Sequence, residues 1–150
     1  MQKLKAVTLA AMAILGVLGA AHASGVTTPS TPMADLTPEQ RMQRRYPQPV
    51  KVGDLLGLRV LDDQDRTLGR ITKVVRTSDG KIQLIIPYGG FLGLRQRLVA
   101  VPIEVVAIAG RQVAALDMDR PAFDAAPTWK EGQATALDGA ETIRIALYKR

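Results

Sequence analysis

The chain has 150 residues, with 20 Lys and Arg against 14 Asp and Glu, a formal charge of +6, no cysteine and one histidine, His22. That length allows one folded domain. It excludes thiol and disulfide chemistry, and it leaves almost none of the imidazole on which bases and zinc or copper sites usually depend.

Lys3 and Lys5 precede an uncharged run over residues 6–21. Ala21-His22-Ala23 then offers small residues at the two positions a signal peptidase reads. This three-part pattern predicts a secretory signal peptide over residues 1–23, cleaved between Ala23 and Ser24. The run is rich in alanine and contains Gly16 and Gly19. It is weak beside the ~20 apolar residues of a permanent span, and retention as an anchor is the competing reading. In either case the positive end stays in the cytoplasm and the rest crosses. No cysteine follows the run, which excludes a bacterial lipid anchor at that point. Cleavage removes Lys3, Lys5 and His22, so the mature chain has no histidine and its charge falls by two, from +6 to +4. A mildly basic exported protein does not read as a nucleic-acid binder. The charge suits an acidic partner or an anionic membrane surface, with a solvated surface as the plainer reading. The expected location is the bacterial periplasm.

Residues 24–49 hold Pro29, Pro32, Pro38, Pro47 and Pro49 among Ser, Thr and Gln. Such a segment buries too little apolar surface to offset its ordering entropy, and it reads as a tether. Within it, Thr37-Pro38-Glu39-Gln40 is a helix start with a capping box, for a short helix to about Arg45. Arg41, Arg44 and Arg45 would then form a small, solvated basic patch.

From Val50 the punctuation is that of β-structure. Leu56, Leu58 and Val60 alternate with Gly57 and Arg59, a period of two. Asp62-Asp63-Gln64-Asp65 is a turn. Residues 68–75 form a second strand whose alternation slips between Ile71, Val74 and Val75, which reads as a bulge. Ser78-Asp79-Gly80 closes a hairpin. Ile82, Leu84 and Ile86 continue as a third strand, with Ile85 on the opposite face. Short strands follow at 98–101, 105–108 and, after the Gly110-Arg111 turn, 112–116. Residues 132–139 form a loop, and Ile143, Ile145 and Leu147 alternate in an extra strand, expected to dock on a barrel edge within the chain rather than on another molecule. Many short strands joined by turn residues predict a mainly β fold, a small barrel.

Between the third and fourth strands lies Ile85-Ile86-Pro87-Tyr88-Gly89-Gly90-Phe91-Leu92-Gly93-Leu94, with Leu98-Val99-Ala100-Val101-Pro102 after it. The glycines around Phe91 and Leu92 predict a tight connection that turns two apolar side chains back to plug the core. Were they exposed, Tyr88, Phe91 and Leu92 would form an interaction loop instead. Val52-Gly53-Asp54-Leu55-Leu56-Gly57, Asp65-Arg66-Thr67-Leu68-Gly69-Arg70-Ile71, the proline-ended strand and residues 119–129 with Phe123 and Pro127 complete the set. Together these segments resemble the PRC-barrel family, the small β-barrel of the photosynthetic reaction-centre H subunit and of a ribosome-maturation factor. Ile103 stands where the family usually has an aromatic. The resemblance implies a barrel over residues 50–129 that ends in a short closing helical segment, with residues 130–150 as a loop and a C-terminal strand.

Chemical constellations are sparse. Asp63-Gln64-Asp65-Arg66-Thr67 resembles the start of a calcium loop, but Leu68 and Val74 stand where that loop needs glycine and glutamate. Asp117 and Asp119 read as turn carboxylates bonded to backbone amides. Gly89-Gly90-Phe91-Leu92-Gly93 lacks the Lys-Ser/Thr of a phosphate loop. No catalytic residue, cofactor or metal is expected. The expected function is that of an exported, non-catalytic interaction or adaptor module with a protein partner. The alternative is a periplasmic sensor that binds a small molecule or ion at the barrel mouth. A ribosome-assembly role, which one branch of the family implies, conflicts with export. N-terminal sequencing of protein from the periplasmic fraction is expected to begin at Ser24, whereas a form that keeps Met1 and sediments with membranes would show the segment retained as an anchor.

Overall fold

The computed structural model of the chain describes residues 33–90 and 94–148. The expected signal segment and its cleavage site, residues 24–32, and Phe91 and Leu92 lie outside the described residues. Helix α1 (Pro38–Arg44) starts where the capping box places it. The Thr37 hydroxyl accepts from the Gln40 N–H at 3.2 Å, and Gln40 Oε1 accepts from the Thr37 N–H at 2.9 Å. These bonds satisfy two donors that a helix start otherwise leaves open. The helix is docked on the barrel, because its Met42 is buried in the main core.

Strand β1 (Gln48–Lys51) leads straight into a helical turn, α2 (Val52–Leu55). Here the period-two reading of the sequence breaks down. Val52 and Leu55 are spaced i, i+3, so one turn of helix buries both completely, while Leu56 is left 42% exposed. Gly57 reverses the chain at φ +80°, and β2 covers only Arg59–Leu61. The expected bulge is a larger event as well. Residues 67–76 form two strands, β3 (Thr67–Arg70) and β4 (Lys73–Arg76), which belong to different sheets. The slipped alternation at Ile71 marks the point where the chain leaves one sheet for the other.

The remaining elements follow the sequence closely. They are β5 (Ile82–Tyr88), β6 (Arg97–Pro102), a 3-10 turn at Ile103–Val105, β7 (Val106–Ala109), β8 (Gln112–Ala115), α3 (Arg120–Ala125), a two-residue β9 (Thr135–Ala136) inside the expected loop, and β10 (Thr142–Leu147). One sheet has the order β1-β10-β7-β8-β2-β3 and the other β6-β5-β4-β9. The C-terminal strand docks within the chain, antiparallel to β1 and parallel to β7. Alternation along β5 sends Leu84 and Ile86 into the main core. Ile85 points to the opposite face, in a second cluster with Val75 and Trp129. Phe123 carries α3 into the main core with no exposed surface.

The two sheets meet where β3 crosses β5, and Gly69 permits it. A Cβ on Gly69 would lie 2.4 Å from the Pro87 carbonyl oxygen, backbone against backbone. No rotamer change relieves such a clash. Gly69→Ala is expected to destabilise the fold by about 1–3 kcal/mol or more, the cost of overpacking a rigid site. Urea denaturation measures this, and a change within about 0.5 kcal/mol, the range of surface substitutions, would mean that the strands separate freely.

Candidate functional site: the outer face of the six-stranded sheet

Register defines this face. Side chains alternate across a sheet, so Val60 of β2 and Val113 of β8 point inward and their neighbours outward. One outward row begins with Arg70 opposite Arg59, continues with Gln112 beside Arg59, and reaches Ala109 opposite Gln112. The Tyr148 N–H donates to the Ile108 carbonyl at 2.8 Å. That bond extends the β10 register by one residue and sets Tyr148 beside Ala109. The next row on this face holds Leu61 and Ala114, and its register continues through Ala107 and Ala146, both fully buried in the main core. Alanines keep its floor low. The result is a cleft of about 330 Å³ lined by Leu61, Asp65, Ala109, Gln112, Ala114 and Tyr148. A second cleft of about 380 Å³, with Arg44, Arg45, Tyr46 and Leu147 in its wall, begins on the other side of Tyr148. Tyr148 is 44% exposed and Tyr46 is 64% exposed, and Tyr46 is held at φ +53°, a conformation uncommon outside glycine.

Of the sequence-predicted interaction loop, Tyr88 is the described member, and it lies elsewhere. Tyr88 is buried. Its hydroxyl donates to Asp124 Oδ1 at 2.6 Å, and its ring lies 5.4 Å from that of Phe123. Burial, then the Asp124 carboxylate, raises the pKa of this phenol. The Arg97 guanidinium sits 5.7 Å over the same ring and donates to the carbonyls of Phe123, Asp124 and Ala126 at the C-terminal end of α3. Tyr88 and Arg97 therefore fasten the closing helix. The expected basic patch on α1 is also engaged. Arg45 forms a two-point bond to Asp117, at 2.5 and 3.2 Å, and Arg41 approaches the same carboxylate at 3.7 Å. Asp117 thus serves arginines of α1 rather than backbone amides, because the docking of α1 brings them over it. Asp119 does bond backbone, accepting from the Ala122 N–H at 2.9 Å as the cap of α3.

Asp62 is the buried carboxylate of the β2–β3 turn, only 3% exposed. Oδ1 accepts from the N–H groups of Gln64 and Arg66 at 3.0 and 2.9 Å. Oδ2 accepts from the Arg66 side chain at 2.9 Å and from Arg120 at 3.2 Å. Both oxygens are committed, which makes Asp62 a clamp between this turn and α3. Burial alone pushes its carboxyl pKa up, but the two backbone N–H donors and the two guanidiniums outweigh burial and bring it down to about 2. A carboxyl depressed in the folded state contributes stability above its unfolded pKa and loses it as pH falls through the folded one. Stability should therefore fall between about pH 4 and pH 2. Asp62→Asn is expected to flatten that acid limb in urea titrations at stepped pH and to cost about 1–3 kcal/mol at neutral pH. An unchanged acid limb would place the pH dependence elsewhere.

Residues 50–117 match the family model of the PRC-barrel domain. No curated protein matches the chain. The matched segment opens with Val50 and α2, contains both strands that exchange sheets at Ile71, and closes at Asp117, where α1 docks. With the strand crossing at Gly69 and the proline-ended β6 inside it, this chain carries a PRC-barrel domain over its residues 50–117.

Proposed function

We propose that this protein is an exported, non-catalytic interaction module of the bacterial envelope, and that it docks a protein partner on the outer face of the six-stranded sheet. The observation that carries this reading is the pair of clefts that meet at the exposed Tyr148. An aromatic that is apolar over its body and polar at its tip is a frequent interface anchor, and a shallow cleft on either side gives a partner something to fill. Export rests on Lys3, Lys5, the apolar run and Ala21-His22-Ala23. The non-catalytic reading rests on a mature chain without histidine or cysteine and on acids committed to the fold at Asp62, Asp117, Asp119 and Asp124. A small-molecule sensor is the second reading. It is favoured by the size of the cleft beside Leu61 and Tyr148, about 330 Å³, within the range of ligand pockets.

A photo-crosslinking residue at position 148 is expected to give one discrete adduct in an envelope fraction. Tyr148→Ala is expected to weaken binding of the partner so identified about tenfold or more while leaving stability within about 0.5 kcal/mol. A smear of adducts, together with a raised Tm in the presence of a small molecule, would transfer the reading to a sensor.

A further inference from the structure

The outer face carries an electrostatic arrangement that the fold does not balance. Arg59 and Arg70 stand directly opposite each other on antiparallel strands. Like charges so placed repel and weaken a sheet. Elsewhere in this protein, arginines that converge do so around an acid: Arg66 and Arg120 share Asp62, and Arg41 and Arg45 share Asp117. Among the described residues, Arg59 and Arg70 have no such acid. Arg70 makes one bond, to the Gly57 carbonyl at 3.0 Å. Both side chains belong to exposed residues, and exposed Arg111, in the turn before Gln112, adds a third positive charge at the same end of the sheet.

We infer that Arg59 and Arg70, with Arg111 beside them, recognise the carboxylates of an extended acidic segment of a partner protein laid across this face. The inference rests on the reading of the face as a protein-docking surface and names the chemistry of what docks there. Guanidinium forks match carboxylates two bonds at a time, and an anion between Arg59 and Arg70 turns their repulsion into attraction. The row that they begin ends at Tyr148, four strand spacings away, roughly 19 Å, the length of about six extended residues. Beside the row runs the apolar floor of Leu61 and Ala114, and beyond that lies Asp65, the acid of the cleft. Acids of the partner are thus favoured along the arginine row. A lipid surface fits this shape poorly. The arginines flank a depression floored by alanine, with Tyr148 as its exposed large apolar side chain, whereas a bilayer accepts protruding apolar groups.

The test uses fluorescence anisotropy of a labelled oligoglutamate peptide at low salt, with flotation on phosphatidylglycerol vesicles in parallel. Arg59→Gln/Arg70→Gln is expected to weaken peptide binding about tenfold or more. The double variant should melt no lower than the parent, since it relieves the repulsion. Arg59→Gln alone, which loses no hydrogen bond, should weaken binding severalfold without lowering Tm. Lys51→Gln/Lys81→Gln removes the same charge from other elements and is expected to leave binding within twofold. Equal losses in the two double variants would reduce the effect to net charge and overturn the proposal, as would a lowered Tm in Arg59→Gln. Vesicle binding that depends on Arg59 and Arg70 while the peptide fails to bind would assign the row to a membrane and overturn it too. The crosslinker at position 148 separates this inference from the reading beneath it. A discrete protein adduct that persists undiminished in Arg59→Gln/Arg70→Gln keeps the docking face and overturns its acidic specificity, whereas loss of the adduct in that variant supports both.

Discussion

The constraint on which the structure depends is the crossing of β3 over β5 at Gly69. One stretch of chain, residues 67–76, serves as the last strand of one sheet and an inner strand of the other. It can do so because the chain bends at Ile71 and Thr72 while the backbone at Gly69 lies against the Pro87 carbonyl. The bend is secured from both sides. Ile71 exchanges backbone hydrogen bonds with Gly57 and Leu58, and both the backbone N–H and the hydroxyl of Thr72 donate to the Ile85 carbonyl. The main core forms between these sheets, with Leu84, Ile86, Val60 and Val113 among its fully buried residues. If the crossing opened, the two sheets would lose the edge they share.

Polar ties then close the ends that hydrophobic burial leaves loose. Asp62 joins the β2–β3 turn to Arg120 at the start of α3, and Arg97 holds the carbonyls at its end. Asp117 draws α1 down through Arg45. Each tie is charge-assisted and links elements far apart in the chain, and each pins a short helix that would be marginal by itself. Two acids, Asp62 and Asp117, serve these joints. Among the described residues, Arg70 and Arg59 face each other across the outer sheet with no acid paired to either.

Much of the fold was legible in local pattern. Alternation at Ile82, Leu84 and Ile86 against Ile85 gave both faces of β5, and the turns at Ser78-Asp79-Gly80 and Gly110-Arg111 appear as drawn. The capping box at Thr37 and Gln40 also holds. Reading failed where two periods compete over a few residues. Val52, Leu55, Leu56 and Leu58 satisfy a strand pattern in part, yet a single helical turn buries Val52 and Leu55 together, and burial decides. The slip at Ile71 was visible, but whether it meant a bulge or a change of sheet could not be known from one strand.

The outer face was not legible, because the strands that build it come from separate parts of the chain. Arg59 and Arg70 lie on adjacent strands, and Tyr148 reaches them across β7 and β8. A signal was present in the alternation of residues 142–148, which puts Tyr148 on the same side as Ala146, but nothing local says which strand lies beside it. The sequence by itself determined the mainly β class, the strand-and-turn punctuation and the absence of thiol chemistry, because those follow from composition and from periods of two to four residues. Only the tertiary structure decided that Tyr88 is a core residue bonded to Asp124, that α1 docks through Asp117, and that two arginines face each other with no acid paired to them among the described residues. Such facts depend on strand order and register, and these are settled by contacts between residues tens of positions apart.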